Sequence, residues 1–313
     1  MPLRFTLRQL EYFVAVGEAG SIALASERVN VSSPSISAAL SQLENEFGLQ
    51  LFVRRHAHGL SLTQAGKQFM AQARTVLDEA QRLKRLAGDI SGQVQGPLAV
   101  GCLVTFAQIV VPGLRREFEA AHPRVQIRQA ELDQSKLIEQ LRLAEIDVAL
   151  TYDLQIPTDL SFIPLAELPP YALFGEDHPL ARQKSVSIQE LAEYPMVLLD
   201  LPLSSEYFRS LFSECGRVPK ISERTQDMAV MRGLVANGFG YSIANIRPMS
   251  DRAPDGRKLC YVPLSGVSRP LRLGLLIADG AAQVLTVKAF IAHSQAAISS
   301  HSIPGLNMAA RQE

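Results

Sequence analysis

The chain has 313 residues, which is long enough for two or three domains that each bury a core. A hydrophobic content of 47% with 20% charged residues excludes a disordered chain, and a formal net charge of zero gives no overall sign of nucleic-acid binding. The three cysteines lie far apart, which is typical of reduced thiols in a cytoplasmic protein and predicts neither a disulfide framework nor a metal site.

The N-terminus is not expected to be a targeting segment. Arg4, Arg8 and Glu11 interrupt any cleavable apolar stretch there. No apolar run in the chain approaches the roughly 20 residues that a membrane-spanning helix needs. We therefore predict a cytoplasmic protein without a membrane partner.

The first 63 residues are predicted to form a winged helix-turn-helix. Apolar spacing of three and four residues and the stops at Gly20 and Gly48 predict three helices. A pair of short alternating segments after them predicts a β-hairpin, or wing. The expected helices cover about 7–18, 21–29 and 34–47, and the hairpin strands cover 51–55 and 60–62.

The third helix carries the features of a DNA-reading helix. Ser33 suits the N-cap and Pro34 the first helical position, where a missing N–H costs nothing. Short hydroxyl side chains fall on the face opposite an apolar stripe, and such a face fits a DNA major groove. An ordinary capped surface helix would show the same segment. The predicted DNA-contacting residues of this helix are Ser32, Ser33, Pro34, Ser35, Ser37 and Ser41.

A long helix over 64–92 is predicted to pair with a second copy of the chain. Apolar residues recur every seven positions over four heptads, which is typical of a helix that packs on a partner helix. A long amphipathic helix docked on its own core is the alternative. The predicted dimer residues are Phe69, Ala73, Val76, Ala80, Leu83, Ala87 and Ile90. Glycines and a proline then predict a hinge over 93–97.

The remainder, 98–300, alternates strands and helices, and 301–313 is predicted to be a flexible tail. Two α/β subdomains linked by crossing segments would leave a ligand cleft between them. The predicted strands cover 98–101, 125–130, 146–150, 195–199, 220–224, 241–244, 259–263 and 271–277, with helices over about 106–121, 135–144, 204–215, 227–236 and 280–299.

The chain resembles the LysR-type transcriptional regulators along almost its whole length. The resemblance is carried by LRQLEYFVAVGEAGS, SSPSISAALSQLENEFGLQLFVRR, LSLTQAG, HPLA and LVANGFGYSI. It implies a winged helix-turn-helix head, a dimerising linker helix and a two-lobed effector domain like a periplasmic binding protein. It also implies a tetramer on double-stranded DNA, a small-molecule effector, no cofactor, and RNA polymerase as a further partner.

Some positions depart from the common family pattern in the DNA-reading head. Many relatives have Gln at the position of Ser33, and Arg or Lys near Ala38 and Ser41. Serine and alanine cannot make bidentate contacts to purines, so we expect wing contacts and DNA shape to carry more of the specificity. Arg54 matches the family's backbone-contacting wing arginine, and Arg55 is a predicted helper that would otherwise be a solvated charge.

By the same resemblance, the loop after the first effector-domain strand lines the cleft. Thr105 would favour an anion at a helix start, and simple helix capping is the alternative. The apolar loop predicts a ligand that has an apolar part or makes few hydrogen bonds, and the sequence assigns no arginine to the cleft that would hold a carboxylate. The predicted cleft residues are Cys102, Leu103, Val104, Thr105, Phe106, Tyr152, Leu201, Pro202, Leu203 and Ser204. For Cys102, packing in the protein interior is the alternative, because a lone cysteine beside a strand is more often buried.

An enzyme and a solute receptor are the two alternatives to a DNA-binding regulator. An enzyme on a two-lobed α/β scaffold would need reactive groups, but residues 240–244 only half resemble a nucleophile elbow because the final glycine is missing. The six histidines show no metal-ligand spacing. A solute receptor would need only the C-terminal part, which leaves the first 92 residues unexplained. We therefore predict no catalytic residues.

Overall fold

The computed structural model describes residues 4–55, 59–266 and 269–298, which form two compact units that meet in sequence between Ala87 and Gly88. No helix in these ranges is long and apolar enough to cross a membrane. The predicted flexible tail, 301–313, and the wing turn at 56–58 lie outside the described residues.

The N-terminal unit is a helix-turn-helix with a wing, as predicted. Thr6 caps the first helix in a capping box with Gln9, and Gly20 ends that helix in the left-handed conformation that favours glycine. Its elements are α1 (Leu7–Ala19), α2 (Ile22–Val29), α3 (Ser33–Phe47), β1 (Phe52–Arg55), β2 (Gly59–Leu62) and α4 (Gln64–Ser91), the last continuing across the unit boundary.

An aromatic cluster holds this unit together. The ring of Phe13 lies 5.3 Å from the rings of both Phe52 and Phe69, in edge-to-face contacts. Phe69 also packs 4.8 Å from Phe47 at the end of α3. The cluster therefore joins α1, α3, the wing and the first turns of α4 in one core.

This packing corrects part of the predicted dimer stripe on α4. Ala73 is only 3% exposed and Phe69 is half-buried, and both lie in the core of the unit itself. The alternative of a helix docked on its own core thus holds for the first turns. Val76 and Leu83 are 41% and 68% exposed, and Ala80 is half-buried. The side chains of Ala87 and Ile90 lie outside the described residues.

The C-terminal unit has two lobes. The elements of the first lobe are β3 (Gly96–Leu103), α5 (Val104–Ala107), α6 (Val111–Ala121), β4 (Val125–Leu132), α7 (Gln134–Arg142), β5 (Val148–Tyr152), β6 (Leu160–Leu168), β13 (Leu271–Ala278) and α11 (Leu285–Ala297). Strands β3, β4 and β5 are parallel and are joined by helices. Strand β13 is antiparallel to its neighbours and lies between β5 and β6, which gives the order β4-β3-β5-β13-β6.

The second lobe is inserted between β6 and β13. Its elements are β7 (Tyr171–Gly175), β8 (Val186–Ser187), α8 (Ile188–Leu191), β9 (Pro195–Leu199), α9 (Ser204–Ser213), β10 (Lys220–Thr225), α10 (Met228–Ala236), β11 (Ser242–Ala244) and β12 (Leu259–Ser265). Strands β9 and β10 pair in parallel. A bridge from Met196 to Tyr241 joins this pair to a four-stranded sheet with the order β11-β7-β12-β8.

Four features differ from the sequence predictions. The helix expected over about 280–299 begins only at Leu285 as α11, after a separate 3-10 turn at Ala281–Gln283, because Val284 between them has an extended backbone. The helix expected over 106–121 is two helices, because Pro112 lacks the N–H that a continuous helix would need and instead starts α6. Strands β6, β7 and β8 were not predicted. The predicted hinge over 93–97 ends too late, since Gly96 already pairs with Val125 in β3.

Candidate DNA-binding surface and ligand cleft

The predicted DNA-reading face of α3 is exposed. Ile36, Leu40 and Leu43 are buried in the core of the N-terminal unit, as the apolar spacing predicted. The opposite side presents short hydroxyl groups to solvent. Ser32, Pro34, Ser35 and Ser41 are exposed, and Ser33 and Ser37 are half-buried.

The start of α3 differs by one residue from the prediction. Ser32 holds the N-cap position, so Ser33 begins the helix and Pro34 occupies its second position. The Ser32 side chain makes no capping hydrogen bond and instead lies 2.8 Å from the Ser35 hydroxyl. Proline still fits there, because the first helical N–H groups have no partner within a helix.

Glu44, which was not predicted from the sequence as a functional residue, connects the recognition helix to the wing by hydrogen bonds. Its Oε1 accepts hydrogen bonds from the backbone N–H groups of Leu51 at 2.7 Å and Phe52 at 3.1 Å. Glu44 lies on α3, and the two donors are the residue just before β1 and the first residue of β1. One carboxylate therefore sets the position of the wing relative to the helix that would enter the groove.

The wing itself is an antiparallel hairpin. Arg54 pairs with Leu60 and Arg55 with Gly59, and the N–H of Leu60 donates to the Gly20 carbonyl at 2.8 Å. The backbone thus places both arginines at the end of the strand next to the turn. Their side chains lie outside the described residues, so their role as phosphate contacts stays a prediction.

A cleft of about 680 Å³ opens in the C-terminal unit between the two lobes. The first lobe contributes α5, the end of β4 and the start of α7, and the second contributes the turn after β9 and the start of α10. The lining residues are Val104, Thr105, Ala107, Gln108, Glu131, Leu132, Asp133, Lys136, Leu201, Pro202, Gln226, Asp227 and Met228. This is the volume range of small-molecule sites.

Only four of the ten predicted cleft residues line it, namely Val104, Thr105, Leu201 and Pro202. The other predicted residues are mainly part of the protein interior, because strand β3 and the one-turn helix α5 turn them inward. Buried away from the cleft lining are Cys102, Leu103, Phe106, Tyr152 and Ser204, and Leu203 is half-buried.

Two of these corrected residues carry other structural features. Tyr152 packs edge-to-face on Phe106 with ring centroids 4.7 Å apart, and burial raises the pKa of its hydroxyl above the ordinary value. Leu203 precedes α9 with φ of 63°, a backbone region that L-residues rarely adopt. Neither residue belongs to the cleft lining.

The charged residues of the cleft were not predicted from the sequence. Asp133 and Asp227 are helix N-caps, and a preceding Asp is a recognisable signal of a helix start. Their position on opposite walls could not be read from the chain, because α7 and α10 belong to different lobes. Glu131 and Lys136 likewise enter the cleft only through the fold.

The expectation of an anion at Thr105 is not supported by this geometry. Thr105 is the second residue of a four-residue helix whose N-cap position is Leu103, so the helix dipole there is small. Its hydroxyl is buried and lies beside the Tyr152 hydroxyl.

Cys102 is predicted to resist alkylation at pH 8 in the folded protein. Burial, and secondarily the charge of Glu131, raises the pKa of its thiol to about 12, so the reactive thiolate is scarce. Exposed Cys215 should react with N-ethylmaleimide first. Labelling followed by peptide mass spectrometry checks this, and equal rates at the two thiols would contradict it. Above the ordinary thiol pKa the same shift destabilises the fold as pH rises, because only the unfolded thiol ionises freely.

The segment that half resembles a nucleophile elbow, residues 240–244, does not have that structure. Residues 242–244 run as strand β11, which pairs with β7, and Ser242 is fully buried there with no hydrogen-bond partner in the described part of the chain. A nucleophile elbow needs its serine exposed on a sharp turn between strand and helix. Over residues 4–55, 59–266 and 269–298 no group of three His, Cys, Asp or Glu side chains is placed to hold a metal ion.

A winged helix-turn-helix, a long connecting helix and a two-lobed α/β unit with an open cleft together define a ligand-responsive DNA-binding regulator. Two family descriptions match the chain: "Bacterial regulatory helix-turn-helix protein, lysR family" over residues 7–67 and "LysR substrate binding domain" over residues 91–299. The chain belongs to the LysR family of transcriptional regulators.

Individual relatives agree with this assignment. The crystal structure of HinK, a LysR family transcriptional regulator from Pseudomonas aeruginosa, is 34% identical, covers 95% of this chain and 99% of its own, and superimposes with a TM-score of 0.64. The regulator YnfL of Escherichia coli is 29% identical over 84% of this chain and 89% of its own. Escherichia coli OxyR, a DNA-binding transcriptional dual regulator, is 26% identical over 88% of this chain and 90% of its own.

Proposed function

We propose that this regulator reads DNA with the hydroxyl face of α3 and anchors it with the wing, and that a small molecule in the cleft changes this binding. The observation that carries the proposal is the exposed hydroxyl face of α3, with Glu44 holding the wing against the same helix. Serine hydroxyls contribute single hydrogen bonds to base edges or phosphates, and Arg54 and Arg55 supply charge for the phosphates.

Self-association is proposed through the exposed part of α4. Val76 and Leu83 are seven residues apart on one stripe and stand open to solvent. A partner helix that covered them would remove apolar surface from water, which favours pairing. Such a dimer presents two recognition helices to a palindromic site, and the family resemblance extends the proposal to a tetramer and to contact with RNA polymerase.

Ligand control follows from the position of the cleft between two lobes. A molecule that touches both walls binds the closed arrangement of the lobes better than the open one. The chain enters the second lobe between Leu168 and Tyr171 and returns to the first before Leu271, so closure can occur by bending at the short connection between Leu168 and Tyr171. We propose that this closure alters how the assembly contacts or bends its promoter.

The experiment that tests the proposal is fluorescence anisotropy of the full-length protein on DNA from its own upstream region. A salt series and an unrelated duplex of equal length provide the comparison. Tight binding to the upstream DNA that weakens steeply with salt is expected, because phosphate neutralisation releases counterions. Absence of binding to any DNA at low salt would contradict the proposed reading surface.

Arg54→Ala is expected to weaken binding on every DNA sequence. Each lost phosphate contact should lower the slope of log K against log salt by about one. The salt series above measures both effects. Arg116→Ala removes an exposed arginine from α6 in the C-terminal unit and serves as the matched control. An unchanged slope for Arg54→Ala would remove this residue from the phosphate contacts.

Ser35→Ala and Ser37→Ala are expected to act differently from Arg54→Ala. Each should change affinity by about 1 kcal/mol on some operator variants and little on others, because a lost base contact depends on sequence. Neither side chain is needed for the core. Binding to a set of single-base operator variants, with thermal melting to confirm folding, measures the effect. Two variants that are neutral on every operator would show that another face of α3 reads the DNA.

A further inference from the structure

The lining of the cleft is negatively charged. It contains the carboxylates of Glu131, Asp133 and Asp227 and a single ammonium group, that of Lys136. Lys136 Nζ lies 3.6 Å from Asp133 Oδ2, so these two charges offset one another. Glu131 accepts a hydrogen bond from the neutral amide of Gln129, which leaves its charge uncompensated. The lining therefore holds two carboxylates more than its one ammonium group can offset.

The helix starts in the cleft are already occupied by the protein's own carboxylates. Asp133 Oδ1 accepts the N–H of Lys136 at 3.0 Å at the start of α7. Asp227 Oδ1 accepts the N–H groups of Ala229 at 2.6 Å and Val230 at 3.1 Å at the start of α10. These are the N–H groups that would otherwise attract an anion. The cleft thus has no free helix start at α7 or α10 for a carboxylate or phosphate.

The helix dipoles do not reverse the sign of the charge. A helix N-terminus is equivalent to about half a positive charge, so two of them offset about one of the two uncompensated carboxylates. The neighbouring Arg224 is paired with Asp200 at 3.0 Å and adds no net charge. The cleft stays negative by about one unit after both corrections.

The remaining walls add three neutral polar side chains, those of Thr105, Gln108 and Gln226, and an apolar surface. Thr105 lines the cleft and is only 5% exposed, and its hydroxyl lies beside the Tyr152 hydroxyl. A hydroxyl has one donor and two acceptor sites, so the Thr105 group can also bond to a ligand. Val104, Leu132 and Leu201 provide apolar contacts beside it.

We propose that the ligand of this cleft is an organic cation, with a primary ammonium or guanidinium group on a short apolar body. The cationic group would face Asp227 and Glu131, and the apolar body would lie along the wall that contains Thr105 and Leu201. This inference rests on the proposed function of the cleft as the effector site and adds the charge of the effector. It replaces the sequence-based expectation of an anion.

The test compares three molecules with the same six-carbon body: hexylamine, hexanoate and 1-hexanol. Each is titrated into the full-length protein at neutral pH in isothermal titration calorimetry. Hexylamine is charged under these conditions, and we expect it to bind at least about tenfold more tightly than hexanoate, because two like charges repel within the cleft. 1-Hexanol should fall between them.

Asp227→Asn identifies the charge responsible. Asparagine is as good an N-cap as aspartate, so the variant removes the charge and keeps the start of α10. We expect hexylamine to bind about fivefold more weakly to Asp227→Asn, from one partly screened charge at contact distance. Asp133→Asn makes the equivalent change on the opposite wall. Glu117→Gln removes an exposed carboxylate from α6, outside the cleft, and should change nothing.

Two results would overturn the proposal. One is equal or tighter binding of hexanoate, including the case in which none of the three molecules binds. The other is hexylamine binding that is unaffected by both Asp227→Asn and Asp133→Asn. Specific DNA binding is measured on the same preparations, so that the two proposals can fail separately. If the regulator function is wrong, the protein will not distinguish its upstream DNA from unrelated DNA. If only the charge assignment is wrong, DNA binding will be specific and the calorimetry alone will disagree.

Discussion

Replacing Gly66 with alanine is expected to lower the melting temperature of the N-terminal unit by roughly 12–24 °C, from a loss of about 3 kcal/mol. A Cβ at this position would lie 2.1 Å from the backbone oxygen of Leu51 and 3.1 Å from the side chain of Leu62. That oxygen also accepts the N–H of Thr63 at 3.0 Å, so it cannot move without breaking the junction between the wing and α4.

The same substitution should weaken DNA binding by about tenfold or more, because displacement of Leu51 shifts the wing away from α3. Circular dichroism melting and the anisotropy assay measure the two effects. Gly113→Ala is the matched control, since its Cβ, in the first turn of α6, meets nothing within 4 Å. That variant should be neutral or up to about 1 kcal/mol more stable. If Gly66→Ala melts and binds DNA like the wild type, the close approach of the Leu51 backbone oxygen to position 66 is contradicted.

Replacing Gly240 with alanine is expected to disrupt the second lobe. Gly240 has φ of 146°, and a Cβ there would lie 2.2 Å from the oxygen of Pro195. This approach lets Tyr241 donate to Pro195 at 3.0 Å and accept from Val197 at 2.8 Å, which joins β9 to the rest of the sheet. Strain and overlap together should cost about 3 kcal/mol and lower the melting temperature of the C-terminal unit by roughly 6–12 °C.

Ligand binding should fall with it, because β9 leads directly to the cleft residues Leu201 and Pro202. Differential scanning calorimetry of the full chain separates this transition from that of the N-terminal unit, which should be unchanged. Gly233→Ala, in α10 with open space around its Cβ, provides the control in the same lobe. A Gly240→Ala protein that melts like wild type would show that the backbone there has another conformation.

Helices and their ends were predictable in the N-terminal unit. The apolar spacing of α1 and α3 and the stops at Gly20 and Gly48 depend on contacts within a few residues, so they are visible in the chain alone. The heptad on α4 was equally visible, but its meaning was not. A periodic apolar stripe does not say whether a partner or the same chain covers it, and Phe69 and Ala73 turned out to face their own core.

In the C-terminal unit, the order of strands and helices could be predicted only in part. The parallel β3, β4 and β5 follow from a repeated strand-helix pattern. The position of β13 between β5 and β6 does not, because this pairing joins residues more than one hundred positions apart. Cys102 and Phe106 were assigned to the cleft from their place in the chain, whereas the packing of β3 buries both.

The sequence by itself determined the family, the helix-turn-helix with its wing, the long linking helix and the two-lobed α/β plan, since each rests on local spacing, capping or a continuous motif. Only the tertiary structure decided that Asp133 and Asp227 charge one cleft and that Glu44 holds the wing. These properties depend on which distant segments share a space, and a side chain's charge acts through that distance, whatever its position along the chain.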